Sequence, residues 1–350
     1  MPRVFSLRSN PVCNSPHSVC SYPFHFANES ASIFNFKIDE SSLHMRILFC
    51  TKKDVFGAWI LNWILPKLTG HQVKVLLSDK TRPAEHSVLA LLEEKFLERD
   101  LPLQALFPML DAQSAQGLLA TFEGCKRRYQ LEINTVTSIN DAASEQGIRD
   151  WAPDIIISAR FSLIFKANIE RIPRLGIFNI HPGALPGYAG LYAPLRGIFN
   201  REERLGCTLH QVDEGIDTGA IYSVSYLEVK PERSIFGHIA ELYELGLLSL
   251  LRLLAALEQG NAVKLEVQDT KLFRYYRLPE QEVFTELEAR GVVVVCYGAY
   301  SDFILQFVAP ELLEQFAAPL QAQTLERLVH SVKTLGVQEA LLTFKQSLRT

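Results

Sequence analysis

Short apolar runs alternate along this chain with longer stretches in which apolar residues recur at helical spacing. The run MRILFC, from Met45, reads as a strand buried on both faces, and residues 55–68 follow with a helical period. VKVLL at 73–77 is a second short strand. Helical patterns occupy 85–97 and 142–150, with a weaker strand pattern between them at 130–134. DIIIS at 154–158 and GIFNI at 176–180 are further strands. Strands alternating with helices predict a doubly wound, mostly parallel, Rossmann-like α/β sheet whose ligands sit outside the carboxyl ends of the strands.

Two later strands, 207–212 and 221–229, flank a Gly-rich loop, and a long amphipathic helix over 234–258 stops at Gly260. The first domain is therefore expected to span 45–262, and residues 263–350 form a smaller, mainly helical C-terminal extension. Within the extension, 292–297 reads as a buried strand, and 311–316 and 324–348 read as helices. Residues 1–44 mix Ser, Asn, Pro and His without a sustained period. They are expected to be a disordered leader, or to precede a natural start at Met45.

Composition narrows the function classes. A chain of 350 residues, 48% hydrophobic, can bury one large core or two smaller ones. A net charge of -4 and a pI near 6.2 give no general attraction to a phosphate backbone or an anionic membrane. The chain from Leu272 onward carries 7 basic and 9 acidic residues, so the extension is not a basic nucleic-acid module. No apolar run reaches the roughly 20 residues of a membrane helix, and no signal-peptide core opens the chain. Six cysteines without CxxC pairs argue against a disulfide framework and against a zinc site. These features fit a cytoplasmic protein with a small-molecule substrate, no metal, no membrane and no nucleic-acid partner. Nothing in them opposes a homo-oligomer.

The densest polar signal is FNIHPGALPGYAG at 178–190, where an apolar strand ends in Asn179 and His181 and runs into Pro and Gly. Alternation along a strand places these two residues on one face, so a carboxamide and an imidazole point together into the crevice at the strand end. The second signal is GCTLHQVDEGIDTGAI at 206–221, where a strand presents His210 and a loop then presents Asp213, Glu214 and Asp217 among glycines. Taken singly, His181 reads equally as a strand-end histidine and Asp217 as a turn residue. His210 either supports a site from behind or packs in the core, and Asp213 and Glu214 read as solvated loop charges. A hydrolase relay built on a His–Asp pair lacks its nucleophile, since no Ser or Cys stands in a GxSxG context.

With these motifs the chain resembles the folate-dependent N-formyltransferases, which include glycinamide ribonucleotide, methionyl-tRNA and sugar N-formyltransferases. The family pattern of Asn-x-His-Pro, Leu-Pro-x-x-x-Gly and a downstream Asp-x-Gly loop is matched by Asn179–Pro182, Leu185–Gly190 and Asp217–Gly219, with 36 residues from His181 to Asp217. Residues 153–182 are similar to the methionyl-tRNA enzymes throughout, and 264–278 resemble the end of their catalytic domain. The resemblance spans roughly residues 45–278. It implies the formyltransferase fold for 45–262, catalysis by Asn179, His181 and Asp217, and 10-formyltetrahydrofolate as formyl donor. It also implies that the pterin lies between the loop of Leu163, Ile164 and Phe165 and the loop of Val212, Asp213, Glu214 and Ile216.

The chain departs from the family in the segment after Leu-Pro, where Gly187, Tyr188 and Ala189 stand in place of the basic residue of many relatives. The tail is acidic and helical, unlike the basic β-rich domain of the methionyl-tRNA enzymes. TKKDVFG at 51–57 shows no phosphate cradle. The expected acceptor is therefore a primary amine on a small molecule, foremost a nucleotide-linked amino sugar. The alternatives are an amino-acid or hydroxylamine side chain, methionyl-tRNA, or a non-catalytic homologue that binds folate or a partner.

Overall fold

The computed structural model describes residues 44–113 and 117–348. The expected leader, apart from His44, lies outside the described residues, as do Cys13 and Cys20. Elements run β1 (Arg46–Lys52), α1 (Val55–Ile64), β2 (Gln72–Ser78), α2 (Leu89–Lys95), α3 (Phe107–Ala112), α4 (Phe122–Tyr129), β3 (Glu132–Val136), α5 (Ala142–Trp151), β4 (Ile155–Ala159), α6 (Ala167–Glu170) and β5 (Ile177–His181). Then come β6 (Ala189–Gly190), α7 (Ala193–Phe199), β7 (Arg204–Gln211), β8 (Ile221–Glu228), α8 (Ile235–Glu258) and β9 (Tyr275–Tyr276). The chain ends in α9 (Gln281–Ala289), α10 (Tyr297–Leu305), α11 (Leu313–Ala317), α12 (Ala322–Leu335) and α13 (Val337–Ser347).

The main sheet has the order β3-β2-β1-β4-β5-β7-β8, with β6 and β9 forming a separate two-stranded ladder. The pairs from β3 through β5 are parallel, and β7 and β8 add two antiparallel pairings. The architecture is thus α/β with a mostly parallel seven-stranded sheet and a helical C-terminal region, as the sequence pattern requires. Strands β1 and β4 are covered on both sides, because successive side chains feed opposite cores. Ile47 and Phe49 enter the large core, whereas Leu48 and Cys50 enter a smaller one beneath α5 and α6. Phe178 and Ile180 also face the large core, while Ile177 faces the smaller one, which leaves Asn179 and His181 on the side of Ile177.

Every residue of α1 is buried, as expected for a helix that is apolar all round. Phe56 of α1 lies 4.4 Å from Phe236 of α8 and 6.2 Å from Phe303 of α10, ring centre to ring centre. The C-terminal helices therefore share one core with the sheet.

Two expectations change in the extension. Residues 292–297 do not form a strand. The carbonyls of Val293 and Val294 instead accept the first backbone N–H groups of α8, from Ile235 and Phe236 at 3.0 Å each. A helix start has no internal acceptors for those donors, so the apolar segment caps a helix rather than joining a sheet. The long helical pattern at 324–348 is divided at Gly336, whose φ of 92° interrupts the spiral between α12 and α13.

After α2 the backbone widens into two π-helical turns, Phe96–Asp100 and Pro102–Leu106. The Leu101 N–H bonds to the Phe96 carbonyl, five residues back. In that register the Leu97 carbonyl should receive the N–H of residue 102, but residue 102 is a proline and has none. The hydroxyl of Tyr300 in α10 takes its place, donating at 2.6 Å in a fully buried setting. Tyr300→Phe should therefore cost about 1–3 kcal/mol by leaving a buried carbonyl without a donor while keeping the ring. Denaturant unfolding of the two proteins checks this, and an unchanged midpoint would show that the hydroxyl is not needed.

Candidate active site

The carboxyl ends of β1, β4 and β5 open into a cleft of about 500 Å³, within the range of small-ligand sites. One half is floored by the histidines and Asp217. Asp217 sits in a left-handed turn (φ 57°) whose carbonyl is held by Gln268 Nε2 at 2.9 Å, and the same amide donates to the Gly219 carbonyl at 2.7 Å. Gly219 must lack a side chain, since a Cβ there would stand 1.9 Å from the Gln211 carbonyl oxygen. The turn aims the carboxylate between two imidazoles. Its Oδ2 is 3.6 Å from His181 Nδ1, and its Oδ1 is 3.6 Å from His210 Nε2. The backbone N–H of Gly190 donates to Oδ2 at 2.8 Å.

Hydrogen bonds assign roles to the ring nitrogens. His210 Nδ1 faces the Gln211 carbonyl at 2.9 Å, so that nitrogen carries the proton, and Nε2 meets the Asn179 amide nitrogen at 3.1 Å. Asn179 thereby spends one N–H on His210 and keeps a second. His181 Nε2 meets the Tyr188 carbonyl at 2.6 Å while Nδ1 faces Asp217. Both partners are acceptors, one at hydrogen-bond distance from Nε2 and one at ion-pair distance from Nδ1. Burial alone would push the Asp217 carboxyl up. The neighbouring His181 imidazole, then the His210 imidazole and the Gly190 N–H, overcome it and hold that carboxyl far below the usual carboxylate range.

The two loops expected to flank a pterin face this half. Leu163 and Phe165 are buried, Ile164 is 60% exposed, and Asn140 pins their loop through the Ile164 carbonyl at 2.8 Å and the Lys166 N–H at 2.9 Å. Val212, Asp213 and Ile216 line the opposite wall. Glu214 is exposed and is not among the lining residues. Asp213 is occupied locally, accepting from Thr218 Oγ1 at 2.6 Å and Gly215 N at 3.1 Å. The structure thus brings Asn179, His181 and Asp217 together, and it adds His210, which the sequence left between support and packing.

The other half of the cleft holds a buried charge cluster that the sequence did not signal. Arg160, just after β4, donates through Nε to Asp54 at 2.7 Å and through a second nitrogen to Glu98. Asp54 also caps α1 by accepting from Gly57 N at 2.8 Å. Glu85, Glu94 and Glu98 line the same space, each no more than 7% exposed. Burial pushes the Glu94 carboxyl up to about 8, and the neighbouring Glu98 charge adds to that, against the pull of Arg160 and Lys52. Four residues separate Glu94 from Glu98, the spacing of a solvated helix face, so only the fold reveals their burial.

Among the described residues no group of His, Cys, Asp and Glu could hold a metal ion, and no helix is long and apolar enough to cross a membrane. Cys50, Cys125, Cys207 and Cys296 are buried and form no disulfide among the described residues.

The strand order and the position of the cleft define a doubly wound α/β protein with a small-ligand site at its strand ends. Comparison adds a likeness: residues 111–241 match the formyl transferase family. A methionyl-tRNA formyltransferase of Kosmotoga olearia is 27% identical over 178 residues, 50% of this chain and 57% of that protein. One from Syntrophus aciditrophicus is 33% identical over 144 residues, 41% of this chain and 46% of that protein. The chain thus spans about half the length of the curated relatives it matches. A 4-N formyltransferase from Francisella tularensis superposes with a TM-score of 0.45 at 16% identity, covering 76% of this chain and 89% of that one.

The raised Glu94 carboxyl fixes a sign for stability against pH. The folded state holds that proton more tightly than the unfolded chain, whose glutamate titrates near pH ~4.3. The stability linked to this proton is complete below the unfolded value and is lost as pH rises through about 8. Glu94→Gln should therefore match the parent at pH ~4 and become progressively more stable than it toward pH ~8. Melting curves across that range test this, and a constant difference would mean that Glu94 does not titrate there.

Proposed function

We propose that this protein transfers the formyl group of 10-formyltetrahydrofolate to a primary amine of a small molecule, with Asn179, His181 and Asp217 as its catalytic residues. The observation that carries this reading is the aspartate bridging two imidazoles beside an asparagine with a spare N–H, at the mouth of a ligand-sized cleft. Exposed Ile164 and Ile216 stand among Leu163, Phe165 and Val212 on the walls, an apolar lining that suits a flat pterin ring.

The amine attacks the formyl carbon, and the carbonyl oxygen becomes an oxyanion. The free N–H of Asn179 and the positive charge of His181 stabilise that oxygen. Asp217, strongly acidic in its site, serves as a fixed counter-charge beside His181. Collapse breaks the bond from the formyl carbon to N10 of the folate, and the proton lost by the amine ends on N10. The formyl carbon exchanges N10 for the acceptor nitrogen without a covalent enzyme intermediate. Among acceptors, the sequence places a nucleotide-linked amino sugar first, and a reducing cytoplasm suits the buried thiols.

His181→Ala and Asp217→Asn should each lower turnover by about a hundredfold or more, the scale for loss of a positioned acid-base or oxyanion group. Release of tetrahydrofolate in the presence of an accepted amine is the measurement, and near-normal turnover removes that residue from the mechanism. Calorimetry with a stable folate analogue should show saturable binding that a chelator leaves unchanged. Absence of binding at millimolar analogue discards the donor.

A further inference from the structure

The charge cluster in the far half of the cleft contains one acid that the fold leaves without a counter-ion. Asp54 and Glu98 share Arg160, and Asp54 also has Lys52 at 3.8 Å. Glu85 has Lys95 at 3.8 Å and Arg82 at 3.6 Å. Glu94 forms no ion pair among the described residues, and its Oε2 meets no hydrogen-bond donor. The outer oxygen of Glu98, Oε1, likewise has none. Both side chains are more than nine-tenths buried, and both line the cleft. Burying a carboxyl oxygen without a partner costs roughly 1–3 kcal/mol, so two such oxygens on side chains that line one cavity mark a place where a donor is to be supplied from outside.

We infer that Glu94 and Glu98 form a subsite for a positively charged group on the acceptor, so that the substrate is a diamine-like molecule with a second ammonium beyond its reacting amine. This inference rests on the reading of the cleft as a formyl-transfer site. It narrows the acceptor away from the nucleotide-linked amino sugar, whose phosphates bring negative charge.

Geometry sets the length of that molecule. Glu94 faces Lys52 at the end of β1 and Arg160 after β4, whereas Asn179 and His181 end β5. With β4 between them, β1 and β5 lie two strand spacings apart, about 10 Å. A flexible chain of roughly four to six carbons between the two nitrogens spans that distance while its ends reach toward each site.

The groups facing Glu94 also give binding a proton signature. Glu98 on its own helical segment and Glu85 on the preceding turn raise its carboxyl beyond the effect of burial, while Arg160 and Lys52 oppose them. Tyr192, also in the cleft, stays un-ionised in this acidic, buried setting. An incoming ammonium favours the charged form of Glu94 and drives its proton off. Binding of the cation is therefore coupled to release of a proton and strengthens as pH rises toward about 8.

Three probes share a primary amine and differ at the far end: a four-carbon diamine, the matching amino alcohol and the matching amino acid. Calorimetry on the full chain should show the diamine binding at least about tenfold more tightly than the alcohol, with the amino acid weakest. Titrations in buffers of different ionisation heat should show a proton released with the diamine. In Glu94→Gln both the preference and the proton release should vanish, while the folate analogue binds as before. Equal affinity for the three probes, or a preference that survives Glu94→Gln, overturns the subsite. So does a nucleotide-linked amino sugar that displaces the diamine at equal concentration. Failure of the folate analogue to bind while the diamine preference holds would discard the donor and keep the acidic subsite, so the two readings fall separately.

Discussion

A guanidinium buried at the end of β4 organises the cleft. Arg160 is held in a left-handed backbone conformation (φ 63°) and bonds at once to the residue that caps α1 and to an acid in the turn after α2. A charge so enclosed is tolerable only when it is paired and hydrogen-bonded. Its partners are therefore fixed with it: Asp54 locks the start of the all-buried helix α1, and Glu98 locks the π turn that follows α2. Arg160 also lies 4.9 Å from the centre of the Phe56 ring, joining the charge cluster to the aromatic core below it. Loss of the guanidinium would strand two buried carboxylates in the space that also contains Glu94.

The two halves of the cleft use opposite electrostatic solutions. Around Asp217, two imidazoles and an N–H surround one carboxylate and favour its charged form. Around Glu94, acids crowd one another and favour the neutral form. One half thus holds a fixed charge, and the other holds an acid whose charge depends on pH. Both open onto the carboxyl ends of the same parallel strands.

Legibility in the sequence followed burial and spacing. Strands β1, β4 and β5 were visible because central parallel strands are covered on both faces and become unbroken apolar runs. The edge strand β3, with only partial burial, was read as 130–134 and lies at 132–136. Residues 292–297 carry the same valine-rich signal as a central strand, yet their carbonyls serve the start of α8, an obligation no local pattern displays. The helix α7 was missed because it is short and has Pro194 in its first turn. In the site, Asn179, His181 and Asp217 could be read because a strand and a Gly-bounded loop fix their spacing. The cluster of Arg160, Glu94 and Glu98 could not, since its members come from two segments far apart in the chain and each looks like an ordinary surface charge.

The bond from Tyr300 to the Leu97 carbonyl reaches beyond stability. Leu97 immediately precedes Glu98, and α12 fastens the same helix from outside through the ion pair of Lys333 with Glu93. The position of the acids in the cleft is thus set from the far side of the molecule by the C-terminal helices. Those helices act as a mechanical gauge for that half of the cleft: the position of its acids is written in residues that do not line it.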